Sequence, residues 1–201
     1  MNHATAASPA IAPRSHAWLR NTGLAVSGSL LVAAAAHVSV PLFFTPVPVT
    51  LQTLAVLGLG LLLGPSVAFG AMALYLLEGL SGLPVFSPVG PGGIAQLLGP
   101  DGGYLLSYPL AAAAAGWLYR RARHSRVLSN FGVAIASAAI GDVLILACGA
   151  AWLATLTHFA PAKIAALAVL PFLPGDALKV IAAAAIVTGI ARVRQQHSAA
   201  E

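Results

Sequence analysis

Charge is what this chain lacks. Asp, Glu, Lys and Arg make up 7% of its 201 residues, and 59% are hydrophobic, whereas a soluble domain carries about 25% charged residues. A water-facing surface cannot be covered with so few charges. The composition therefore predicts an all-α integral membrane protein, a single compact domain with no room for a soluble one beside it. No internal repeat is evident.

The net charge of +5 comes from ten Lys and Arg. Most of them stand at segment ends, a pattern that suits membrane topology and contact with anionic lipid headgroups and speaks against nucleic acid as a partner. A single cysteine, Cys148, excludes a disulfide framework and a Cys-rich metal site. It reads as a small buried hydrophobe.

Breakers divide the chain into six spans. Residues 1–21 read as a poorly ordered cytoplasmic tail containing Arg14 and Arg20. The run after Arg20 is long enough to be retained as a span rather than cleaved as a signal peptide. The first span covers about 22–38 and stops before Pro41, Pro46 and Pro48, which cannot lie inside a helix. The second, about 50–63, is short for a bilayer that needs about 20 residues, so the preceding Pro-rich segment has to cover the remaining depth. Gly64-Pro65 turns into the third, about 67–83. The fourth covers about 104–119, the fifth about 131–157 and the sixth about 175–191, with 22–192 forming the membrane domain and 193–201 a cytoplasmic C-terminal tail. Three irregular segments, 39–49, 84–103 and 158–175, then emerge on one side. Arg14, Arg20, the Arg120–Arg126 cluster, Arg192 and Arg194 fall on the other, which the positive-inside rule makes the cytoplasm.

The costliest residues are the most informative. Asp176 and Lys179 open the sixth span behind Pro171-Phe-Leu-Pro-Gly, three residues apart and so on one helix face. They can pair with each other as an interfacial anchor, or jointly grip a ligand that offers both donors and acceptors. Gln52 and Thr53 begin the second span and can point inward, although a Thr hydroxyl also bonds back to its own helix. Glu78, with Tyr75 one turn earlier, is a membrane carboxylate near a helix end. Asp142 lies deep in the fifth span, as a proton relay or as the partner of an Arg. His37 and His158 stand at span ends. Ala25, Ser29 and Ala33 recur every four residues, a small-residue stripe for internal packing or for a partner helix. No metal motif, nucleophile elbow or Walker pattern is present, so no cofactor is expected and the chain is not itself an ATPase.

Four segments together carry a resemblance: Phe44-Thr-Pro-Val-Pro-Val-Thr-Leu-Gln-Thr-Leu54, Gly79-Leu-Ser-Gly-Leu-Pro-Val-Phe86, Gly99-Pro-Asp-Gly-Gly-Tyr104 and Pro171-Phe-Leu-Pro-Gly-Asp-Ala-Leu-Lys179. In order and spacing they resemble the BioY family of biotin transporters, the substrate-binding S components of energy-coupling factor (ECF) uptake systems. The resemblance covers roughly residues 22–192. It implies a six-helix, S-component-like bundle in the bacterial inner membrane, with biotin bound near the outer surface and coupling to an ECF transmembrane subunit and ATPase subunits. It also implies that Asp176 and Lys179 bind the ligand, with Gln52, Thr53, Gly103 and Tyr104 as further lining. Phe86 can pack the apolar part of biotin, and Glu78 is kept as a candidate. The chain departs from the family pattern at Asp101, where Thr is more usual. Rival readings are an S component for another vitamin, such as riboflavin or thiamine, and an intramembrane enzyme using Asp142, His37 or His158.

Overall fold

A computed structural model describes residues 14–123 and 128–198. Among these the helices are, in chain order, α1 (Arg14–His37), α2 (Gln52–Leu63), α3 (Pro65–Leu80), α4 (Gly93–Leu98), α5 (Gly102–Ala122), α6 (Asn130–Thr157), α7 (Pro161–Ala168) and α8 (Leu173–Ser198). The six long ones correspond to the six expected spans. The short α4 and α7 lie inside two of the segments expected to be irregular. In the third, a ladder pairs β1 (Ser39–Val40) with β2 (Val49–Thr50), Ser39 opposite Thr50 and Val40 opposite Val49.

Three boundaries differ most from expectation. α1 begins at Arg14, so residues 14–20 are helical rather than part of a loose tail, and α8 continues past Arg192 and Arg194 to Ser198. No Pro or Gly interrupts either extension, and Ala, Arg and Gln are good helix formers. Residues 1–13, 124–127 and 199–201, with part of the basic cluster, lie outside the described residues. The sixth span also starts earlier than expected, at Leu173, because Pro174 sits in the first helical turn, where its missing N–H would be unpaired in any case.

α6 and α8 are long and apolar enough to cross a membrane, whereas α2 and α3 are shorter apolar helices. At 1.5 Å per residue, the 12 residues of α2 reach about 18 Å, short of a hydrocarbon core of about 30 Å. The ladder directly precedes α2 in the chain. Its connecting segment leans across the bundle, where the Thr45 hydroxyl donates to the Leu167 carbonyl of α7 at 2.7 Å.

α5 is the centre of the bundle, packed against α2, α3 and α6. Its Ala111, Ala112 and Ala115 are fully buried. A Cβ on Gly116 would lie 2.4 Å from the Gly60 carbonyl oxygen, and one on Gly60 would lie 2.5 Å from that of Ala112. Lipid tails are as apolar as leucine, so helices associate through such close backbone contact rather than through the hydrophobic effect. At the far end, the Arg120 guanidinium donates to the Leu63 carbonyl, satisfying an acceptor that the end of α2 leaves open.

The stripe on α1 is internal. Ser29 is fully buried and its hydroxyl donates to Glu78 Oε1 on α3 at 3.0 Å, while a Cβ on Gly28 would meet the Ala71 Cβ at 3.0 Å. Cys148, expected in the interior, is exposed on α6. The inward face of that helix carries Gly141, Asp142, Ile145, Leu146 and Gly149 instead, and Cys148 is turned away from it.

Candidate ligand-binding site

α8 opens with two ionisable side chains almost completely removed from solvent. Asp176 is 4% exposed and Lys179 8%. Their helical spacing brings Lys179 Nζ within 2.8 Å of Asp176 Oδ1, to which it donates. The same face continues inward as Val180, Ala183, Ala184 and Val187, all buried, so the pair is fixed to a helix that packs into the bundle as far as Thr188.

This pair lines a small cavity, partly open to solvent, at the loop-rich end of the bundle. Every irregular segment contributes to its walls. Val47, Pro48 and Thr50 come from the ladder and its connection. Gln52 and Thr53 come from α2, Ser87 and Gln96 from the segment between α3 and α5, and Phe172 from the turn into α8. Tyr104, Leu105 and Tyr108 of α5 and Ile145 and Leu146 of α6 form an apolar side.

Hydrogen bonds fix the polar wall. The Thr50 hydroxyl donates to Gln52 Oε1 (3.0 Å), Gln52 Nε2 donates to the Tyr75 hydroxyl (2.6 Å), and Tyr75 donates to the Val85 carbonyl (3.2 Å). Each group orients the next, so one end of a buried amide faces the cavity in a defined way. The Tyr104 hydroxyl donates to the Ala168 carbonyl at 2.6 Å, and its ring packs at 6.0 Å from that of Phe172. Two glycines on neighbouring helices make room for this ring and its backbone. A Cβ on Gly149 would lie 2.2 Å from the Tyr104 ring, and one on Gly103 would lie 2.3 Å from Trp152 Cβ.

α4 packs against α3 and α5 and adds Gln96 to the wall. Gln96, 2% exposed, accepts from the Gly92 N–H through Oε1 and donates from Nε2 to Asp101 Oδ2, both at 3.2 Å. The Trp152 indole N–H donates to the Gly99 carbonyl at 2.9 Å. Asp101 itself lines the cavity. Burial raises its carboxyl to about 6, against the smaller opposing effect of the Gln96 hydrogen bond, and its Oδ1 is buried without a partner.

The structure thus gathers Asp176, Lys179, Gln52, Thr53 and Tyr104 around one cavity and sets three other candidates apart from it. Phe86 is buried behind the wall, its ring 5.3 Å from Tyr75 in an edge-on contact, so it supports the polar relay and does not line the cavity. Gly103 faces α6, where it permits the approach of Trp152. Glu78 points toward α1 and Ser29, because it lies on the face of α3 that packs there.

Asp142 has no Arg partner among the described residues. It is 7% exposed, leaves Oδ1 unpaired, and lies within electrostatic reach of Asp176 and Lys179, one turn before Ile145 and Leu146 on the inward face of α6. His37 Nδ1 donates to the Ala33 carbonyl within α1 at 2.8 Å. His158 caps α6 in a left-handed conformation (φ 53°). Both side chains are exposed, and neither lines the cavity. Among the described residues no group of three His, Cys, Asp or Glu comes together.

Sequence reasoning missed Tyr108, Phe172 and the polar residues Ser87 and Gln96. Tyr108 stands one turn after Tyr104 and could have been found from that spacing. Phe172 lies inside the segment that contains Asp176. Ser87 and Gln96 carry no local signal, because only the fold of the long α3–α5 connection brings them inward.

Fold and site together define an all-α membrane bundle with a polar cavity at its loop-rich end, lined by the Asp176–Lys179 pair. The pattern of the BioY family matches residues 4–196, and the chain belongs to that family. It is 36% identical over 156 residues to the probable biotin transporter BioY of Pyrococcus horikoshii, covering 78% of this chain and 86% of that protein. With the biotin transporter BioY of Rhodobacter capsulatus it shares 33% over 184 residues, covering 86% of this chain and 93% of the relative. A crystal structure of the S-component for biotin from an ECF-type ABC transporter superposes with a TM-score of 0.80 at 26% identity, covering 90% of this chain and 95% of that one.

Proposed function

We propose that this chain is the biotin-capturing subunit of an uptake system, loading from outside the cell and releasing inward when a complex cycles. Membership of the BioY family supports the substrate. The observation that carries the site is the buried Asp176–Lys179 pair lining a cavity with Gln52, Thr53 and Tyr104, because an acid beside a base matches a ligand bearing both acceptors and donors. Biotin offers two ureido N–H donors and a carbonyl, an apolar thiophane ring and a valerate carboxylate.

In this reading Asp176 accepts from ureido N–H groups and Lys179 donates to an oxygen of the ligand. Gln52 and Thr53 complete the polar wall, and Tyr104, Tyr108 and Phe172 pack the apolar ring. The reading places the cavity mouth on the outer face, with both termini in the cytoplasm and the Arg-rich ends at the inner surface of a bacterial cell membrane. Energy comes from partner ATPases and a transmembrane subunit, since the chain carries no nucleotide motif.

Uptake tests this directly. Cells unable to make or import biotin are given this chain with and without an ECF transmembrane subunit and its ATPases, and labelled biotin is followed over time. Accumulation that requires the chain supports the function, whereas uptake unchanged by it rejects the proposal.

A further inference from the structure

The cavity holds more acid than base. Asp101 and Asp176 line it against Lys179 alone, and Asp142 lies one turn from its Ile145–Leu146 wall. The Lys179 ammonium is already committed to Asp176 at 2.8 Å. This inference rests on the reading that biotin is the ligand, which at neutral pH is an anion through its valerate carboxylate. Carrying a further negative charge into a buried site with surplus carboxylates is unfavourable unless a positive charge enters with it.

We propose that Asp101 is a recognition residue of this pocket: on loading, its Oδ1 takes a proton from solvent and donates it in a hydrogen bond to the anionic ligand, and on release the proton returns to solvent. The geometry leaves that atom free. Oδ2 accepts from Gln96 Nε2, and Gln96 is itself held by the Gly92 N–H, so the amide meets one oxygen only. Oδ1 is buried and unpaired, a costly state for a charged oxygen and a ready one for a shared proton.

The groups around Asp101 do not supply the missing charge. Gln96 of α4 is neutral. Tyr75 of α3 and Tyr104 and Tyr108 of α5 lie within electrostatic reach, and phenols are uncharged near neutral pH. Asp176 and Lys179 of α8 offset each other, and Asp142 of α6 adds a further acid. With the unloaded carboxyl at about 6, an anion placed beside it raises the value further. The unloaded value is then the lower of the two. Affinity is therefore greatest at low pH and weakens above about pH 6, by up to about tenfold per pH unit until the loaded value is reached.

Calorimetric titration of the purified protein with biotin at pH 7, in two buffers of different ionisation heat, counts protons without any variant. Close to one proton taken up per biotin is expected, and none for biotin methyl ester, which is neutral. Asp101→Asn, a neutral donor of the same shape, is expected to bind biotin with an affinity that no longer varies between pH 6 and 8. Biotin binding by the unaltered protein without proton uptake overturns the inference and leaves biotin as the ligand. Uptake that survives in Asp101→Asn and disappears in Asp142→Asn moves the proton to Asp142, and overturns it as well. Failure of the unaltered protein to bind biotin removes the ligand assignment itself, and this inference with it.

Discussion

Lys179→Met leaves the Asp176 carboxylate in the interior with no partner for its charge. The two side chains are 9% and 5% exposed, so water screens little of the loss. Breaking a buried pair by removing one partner costs roughly 3–5 kcal/mol. Asp176→Asn strands the ammonium and is expected to cost a similar amount. The double variant Asp176→Asn/Lys179→Met removes both charges at nearly constant volume, and such replacements are often close to neutral in stability. At roughly 2–4 °C per kcal/mol for a chain of this size, each single variant should melt about 10 °C lower than the parent, and the double variant close to it. All three should lose biotin binding, since ligand recognition needs the charged acid and base together. Thermal melting in detergent, followed by tryptophan fluorescence, gives the stability. A biotin titration below every midpoint gives the binding. A double variant that is stable and binds biotin with the parent's affinity would show that the pair merely anchors α8 and would refute the site. Single variants that melt like the parent would refute the energetic argument.

Further outcomes follow from neighbouring contacts. Gly149→Ala places a Cβ 2.2 Å from the Tyr104 ring, so it should displace that ring and weaken biotin binding at least tenfold, read by the same titration. Gln52→Ala removes the donor to the buried Tyr75 hydroxyl and should cost about 1–3 kcal/mol, seen as a lower melting midpoint. Glu78→Gln alters a contact to Ser29 that lies away from the cavity, so biotin affinity should change less than twofold. A loss of more than tenfold would return Glu78 to the site.

Most of the architecture is legible in the chain because its punctuation is strong. Gly64-Pro65 can only turn, and Pro41, Pro46 and Pro48 can only end a helix, which leaves the long apolar stretches as spans. Asp176 and Lys179 are legible through their cost in an apolar setting. The helical extensions at Arg14–Arg20 and beyond Arg192 are not, because charge marks where a membrane ends and says nothing about where a helix does. Within the site, helix phase decides what sequence order cannot. Gly103 and Tyr104 are adjacent, yet one faces Trp152 and the other the cavity. Glu78 stands one turn from Tyr75 and still turns toward α1. Gln96 and Asp101 enter the wall only through the packing of the α3–α5 connection against the bundle, a tertiary event with no local periodicity to announce it.

What the cavity around Asp176 and Lys179 holds decides the function. Titrating the purified protein in parallel with biotin, riboflavin and thiamine tests this most directly. Saturable binding of biotin alone is the predicted result. Riboflavin or thiamine bound as tightly as biotin, or no binding of biotin at all, would contradict it.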